Sequence, residues 1–193
     1  MNNIKTFENF NNQDIFTYIE KNDIQSVKNY IDSGHDLNIK NEYGYTPLIY
    51  AVYNDRLEIV KLLLDCGADV NKQNIYGNTA LILATSKNNI EMVKLLLNVG
   101  ADIDKQNNLG YTALIFAAYR NNREMVKLIL DYYADEFILN AQNKSFYDFL
   151  NTENKEYFTQ NYPTSVYNAI SHWYKKSFTE FVKDYNIKIK NNK

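Results

Sequence analysis

The sequence predicts an all-α fold, a solenoid of helix-turn-helix repeats with short β-turn tips and an amphipathic helix near the carboxy end. Two observations predict it. First, the stretch Gly44-Tyr45-Thr46-Pro47-Leu48-Ile49-Tyr50-Ala51 recurs at a fixed step of 33 residues, so that Gly44, Thr46, Leu48 and Ala51 become Gly77, Thr79, Leu81 and Ala84, then Gly110, Thr112, Leu114 and Ala117. The same step carries Val60 to Val93 and Val126, and Ala68-Asp69 to Ala101-Asp102 and Ala134-Asp135, with no insertion. A constant period of this length marks tandem units that bury their apolar faces on one another. Second, each copy is punctuated as a helix pair. Thr46 is a helix cap followed by a proline suited to the first helical position, and Gly67 suits a left-handed helix end.

Composition bounds the function. The 193-residue chain carries a formal net charge of −2, which supplies no global field for nucleic acid or an anionic surface. Cys66 is its only cysteine, so neither an internal disulfide nor a multi-cysteine zinc site can form. Charges interrupt every apolar window, and Met1-Asn2-Asn3-Ile4-Lys5-Thr6 lacks the pattern of a secretory leader. The expectation is a cytoplasmic monomer; secretion into a host without a cleaved signal is also compatible.

In chain order, residues 1–12 read as a disordered lead-in and 13–40 as an amino-terminal cap. In that cap Ile15, Tyr18, Ile19, Val27, Tyr30 and Ile31 fill apolar slots, while Asn11 and Gln13 stand where later copies have Gly and Thr. Helices are expected near 13–20 and 23–32. Three full repeats follow at 41–73, 74–106 and 107–139. In the first, Val60, Leu63 and Leu64 form the stripe of a second helix near 57–65; Ala80 and Ala113 replace Pro47 in the later copies, and alanine is a good helix former. Residues 140–162 read as a degenerate carboxy-terminal repeat, with Asn143, Ser145, Tyr147 and Leu150 in the slots of Gly110, Thr112, Leu114 and Ala117. Pro163 is expected to break the second helix of that copy. In 163–193, Val166, Tyr167, Ile170, Trp173, Tyr174, Phe178, Phe181, Val182 and Tyr185 fall on one helical face.

The motif G-x-T-(P/A)-L-x-x-A, followed by V-K-L-(L/I)-L and G-A-D, resembles the ankyrin repeat, and the resemblance covers residues 11–150. Two departures matter. The family's histidine after T-P-L is replaced by Ile49, Ile82 and Ile115, which exchanges a polar link between turns for apolar burial worth about 1.5–3 kcal/mol per side chain. Tyr133 occupies the slot of Gly67 and Gly100, where a left-handed tyrosine is strained by about 1–2 kcal/mol or the turn is remodelled. Stacking is expected to degrade from that point.

The resemblance implies a non-catalytic scaffold that binds a partner protein through the concave side, as an adaptor, inhibitor or host-interaction protein. Family contacts come from turn residues flanking the glycine and from the end of the first helix. Here those positions include Glu42, Tyr43, Tyr45, Tyr53 and Asn54; Ile75, Tyr76, Asn78, Ser86 and Lys87; and Asn108, Leu109, Tyr111, Tyr119 and Arg120. Tyr43, Tyr45, Tyr53, Tyr76, Asn78, Leu109, Tyr111, Tyr119 and Arg120 are the candidate partner-binding residues, because interfaces concentrate tyrosine and arginine. A tyrosine-rich composition is the competing explanation.

No other chemistry is expected. The ladders Asp69/Asp102/Asp135 and Asn41/Asn74/Asn107/Asn140 read as turn-capping side chains rather than a metal row. His35, His172 and Cys66 show no converging spacing, and no phosphate loop, H-E-x-x-H or G-x-S-x-G occurs. Lys61, Lys94 and Lys127 read as a solvated face. No enzyme activity, metal, cofactor, nucleic acid or small-molecule substrate is expected. Residues 164–193 hold six lysines, among them Lys175, Lys176 and Lys183, against Glu180 and Asp184. Helix 164–185, with its basic tail, is therefore read as a cap for the end of the array, with a membrane-surface tether or docking to a partner protein as alternatives.

Overall fold

The computed structural model describes residues 14–170 and 178–184, all of whose regular elements are helical. The expected lead-in at 1–12 lies outside the described residues. The chain forms two compact units: one comprises residues up to Ala84 with Glu91–Ala101, the other Thr85–Ile90 with residues from Asp102 onward.

The first unit contains α1 (Asp14–Glu20), α2 (Ile24–Asp32), α3 (Pro47–Tyr53) and α4 (Leu57–Asp65), with most of α5 (Ala80–Ser86) and α6 (Ile90–Asn98). Thr46 starts α3 because its hydroxyl accepts the Ile49 N–H at 3.3 Å, and Pro47 fills the first helical position. Helix α3 then buries Leu48, Ile49, Ala51 and Val52, and α4 buries Ile59, Val60 and Leu63. Ile59 takes the core place expected of Leu64, which is only half-buried. Gly67 ends the pair at φ 87°, and the following Ala68 N–H reaches Leu63 O at 2.9 Å. Helix α1 packs on α2 and α3, and α2 on α4, so each pair covers the next.

The second unit contains α7 (Ala113–Tyr119), α8 (Arg123–Asp131), a 3-10 turn (Phe146–Phe149), α9 (Thr152–Asn161), α10 (Pro163–Ile170) and α11 (Phe178–Asp184). Thr112 caps α7 through the Ile115 N–H at 3.2 Å, and Asn122 caps α8 through the Met125 N–H at 3.0 Å. Ile115 is 1% exposed, as are Ile49 and Ile82 in the other copies, so the replaced histidine position is now core. Tyr133 adopts φ 63° with its side chain in solvent, and the Ala134 N–H still reaches Ile129 O at 3.4 Å. The turn is strained, not remodelled, and the next turn still pairs through Ala141 N–H and Leu109 O at 3.1 Å.

Regularity is lost one element later than expected. Ser145 and Asp148 close a capping box around a single 3-10 turn, after which Leu150 is extended and Asn151 caps α9. The outer helix therefore begins about one turn early and is complete by Asn161. Pro163 does not break it; that residue opens α10 instead. Phe146, not Tyr147, fills the core slot, while the Tyr147 hydroxyl lies 3.0 Å from Thr159 Oγ1. The single helix expected over 164–185 is represented by α10 and α11. Residues 171–177, including His172, Trp173, Tyr174, Lys175 and Lys176, and those from 185 onward lie outside the described residues. Helix α10 packs on α9, α11 and the 3-10 turn, burying Val166, Ala169 and Phe181.

Candidate interaction surface

The turns that present the candidate residues are built by asparagine. In the first unit, Asn41 Oδ1 accepts the N–H groups of Tyr43 and Tyr45, both at 3.0 Å, and Asn74 Oδ1 accepts those of Tyr76 and Asn78, also at 3.0 Å. In the second, Asn107 Oδ1 holds Leu109 at 2.9 Å and Tyr111 at 3.0 Å, and Asn140 does the same for Gln142 and Lys144. Two amides on one oxygen at spacings of two and four fix the turn around its glycine, with Tyr43, Tyr76 and Leu109 before the glycine exposed and Tyr45, Asn78 and Tyr111 after it half-buried. The aspartate ladder is used locally in the same way, with Asp69 accepting from Asn71 and Asp135 from Phe137, each at 2.8 Å.

On this frame the first unit gathers a tyrosine cluster. Tyr45 stands at its centre, 5.5 Å from Tyr53, 6.2 Å from Tyr50 and 6.4 Å from Tyr43 by ring centroid. Tyr43, Tyr53 and Tyr76 are about half exposed, whereas Tyr45 and Asn78 are half-buried. Burial pushes the Tyr45 hydroxyl above its ordinary range, and the neighbouring Tyr53 and Tyr76 add to the shift. It therefore stays protonated, able both to donate and to accept a hydrogen bond.

The second unit gathers a cluster of its own. Tyr111 lies 6.1 Å from Tyr119, 6.0 Å from Phe116 and 5.7 Å from Phe149, and Phe149 is 5.8 Å from Tyr119. Most of these rings meet edge to face, the arrangement their quadrupoles favour. The Arg120 guanidinium sits 5.9 Å over the Phe116 ring, and Lys144 Nζ 5.7 Å over Phe149. Leu109, Tyr119 and Arg120 are exposed.

Sequence reasoning missed Phe16, Tyr50, Phe116 and Phe149. The signal existed: Tyr50, Leu83, Phe116 and Phe149 share one repeat position, one turn before Tyr53 and Tyr119 on the same helix face. His35 stacks on Tyr30 at 4.5 Å, and Cys66 is exposed at the end of α4. Among the described residues no group of three or more His, Cys, Asp or Glu is placed to hold a metal, and no helix is long and apolar enough to cross a membrane.

Tandem helix pairs joined by asparagine-clamped turns, with Thr46 and Thr112 capping inner helices and Gly67 and Gly100 turning left-handed after outer ones, define a repeat protein. The chain belongs to the ankyrin repeat family: the family model described as "Ankyrin repeats (3 copies)" matches residues 15–107 and 66–140. A comparison with curated proteins returns no match. Ankyrin repeats are generally protein–protein interaction modules, and proteins built from them are typically non-catalytic scaffolds.

Proposed function

We propose that the protein is a non-catalytic scaffold that grips a partner protein through its tyrosine-rich turn and inner-helix residues. These are Tyr43, Tyr45, Tyr53, Tyr76 and Asn78 in the first unit and Leu109, Tyr111, Tyr119 and Arg120 in the second. The observation that carries the reading is the exposure of large aromatics at turn tips and inner-helix ends whose geometry does not need them. At the tips Tyr43 and Tyr76 are 52% and 56% exposed, although the Asn–amide clamps act on backbone and would hold any side chain there; Tyr53 and Tyr119, the last residues of α3 and α7, are 49% and 56% exposed. Stiff rings with a polar end are what recognition surfaces concentrate.

The partner is read as a protein rather than a membrane. Burial of Val166, Ala169 and Phe181 supports a capping role for the carboxy-terminal segment over a tethering one. The test is capture of proteins from cell extract on the wild-type chain and on the combined variant Tyr53→Ala, Tyr76→Ala and Tyr119→Ala. Loss of specifically retained proteins, with circular dichroism and Tm unchanged, is the expected result. Recovery of the same proteins by both would refute the assignment.

A further inference from the structure

The first unit carries an open cleft of about 420 Å³ lined by Phe16 of α1, Asn41, Glu42 and Tyr43 of the first turn, and Tyr50 of α3. Three of its walls are aromatic. Phe16, largely buried, and Tyr50 meet at a ring-centroid distance of 5.5 Å and an angle of 79°, so two nearly perpendicular rings form one corner of the lining. Tyr43 closes a further side and is half exposed. Glu42 is exposed and makes no ion pair among the described residues. Asn41 contributes no spare acceptor lobe of consequence, since its Oδ1 already takes two backbone N–H groups. The basic residue nearest in sequence, Lys40, is turned to the carbonyl of Gln73 at 2.9 Å and does not line the cleft.

We infer that this cleft receives a basic side chain, arginine or lysine, from the partner polypeptide. The inference rests on the proposed partner-binding role of the tyrosine-rich surface and names the chemistry of one contact within it. Aromatic faces attract cations through their quadrupole, and attraction strengthens when the cation sheds water between rings. A carboxylate at the rim adds the opposite charge. It also disfavours phosphate, which argues for a polypeptide over a nucleic acid or a phospholipid headgroup. The size suits an extended side chain with its aliphatic stem along Phe16 and Tyr50, leaving the charged head beside Glu42.

The test selects a phage-displayed random dodecapeptide library on the full chain, then measures the recovered peptides by fluorescence anisotropy. The expected result is enrichment of Arg or Lys at one position of the peptides. Replacing that residue by norleucine weakens binding about tenfold or more, whereas exchange between Arg and Lys preserves most of the affinity. Glu42→Gln and Tyr43→Leu, both at exposed positions, weaken the same peptides about three- to thirtyfold with no change in Tm. Glu42→Lys abolishes the preference for a basic residue. Peptides with no basic enrichment, or basic peptides indifferent to norleucine and to Glu42→Gln, overturn the inference. If such peptides still depend on Tyr53 and Tyr119, the tyrosine-rich surface stands and only the cleft assignment falls. Peptides indifferent to both sets of substitutions, or no recovery above bait-free beads, count against both.

Discussion

The backbone of Gly110 approaches Ala141 so closely that a Cβ on the glycine would lie 2.7 Å from the Ala141 nitrogen, whose N–H is bonded to Leu109 O at 3.1 Å. Within the first unit Gly44 makes the same approach, with Ile75 N at 2.8 Å from the position of a Cβ. Successive turns therefore touch through backbone, and a side chain cannot be inserted between them.

Gly110→Ala is expected to destabilise by about 1–3 kcal/mol more than Gly67→Ala. Both glycines have positive φ, but nothing lies within 4 Å of a Cβ at Gly67. Urea denaturation of the two variants measures the difference, and equal losses would mean that turn contact carries no weight.

Asn107→Ala removes the acceptor shared by Leu109 and Tyr111. A loss of about 1–2 kcal/mol is expected, together with faster hydrogen exchange at those two amides. Asn107→Asp, which keeps the acceptor, is expected to retain most of the stability.

Tyr133→Gly relieves a left-handed tyrosine that is 92% exposed and has no core contact to lose. Stabilisation of about 1 kcal/mol is expected, seen as a Tm rise of about 2–4 °C.

Most of the helical plan was legible because the repeat states it several times: Thr caps, Gly ends and buried Leu, Ala and Val columns each recur at the same step. Two of the departures have local causes. Pro163 looked like a helix breaker only while the fifth copy was held in the register of the others. The Ser145–Asp148 capping box shortens its inner helix by about a turn and moves Pro163 past the end of the outer one. Tyr147 holds the apolar slot by period, but a 3-10 turn rotates residues out of that phase and puts Phe146 in the core. For the candidate surface, the turn residues came from family likeness. Phe16, Tyr50, Phe116 and Phe149 were hidden because they read as core, and only their half-buried placement beside exposed tyrosines shows otherwise, apart from Phe16, which is buried.

Asp104 provides a pH test. Burial holds its carboxyl above the ordinary range, with Asp135, Asp102 and Glu136 adding to the shift and the Asp135 N–H opposing it. The folded state thus binds the proton more tightly than the unfolded one. Its contribution is fully present below the unfolded pKa near 3.8 and is lost as pH rises through the folded value. Asp104→Asn keeps an acceptor for Asp135, as Asn38 already does for Asp69 at 2.9 Å in the first unit. The variant is expected to raise Tm at pH 7, with the gain shrinking as pH falls toward 4.

The most direct measurement places a photo-crosslinking benzoylphenylalanine at Tyr53 or Tyr119, and separately at the exposed outer-helix positions Lys61 or Lys127, in chains mixed with captured partner. Adducts from Tyr53 and Tyr119 and none from Lys61 and Lys127 are predicted. Adducts from the lysine positions alone would contradict the assignment of the tyrosine-rich surface.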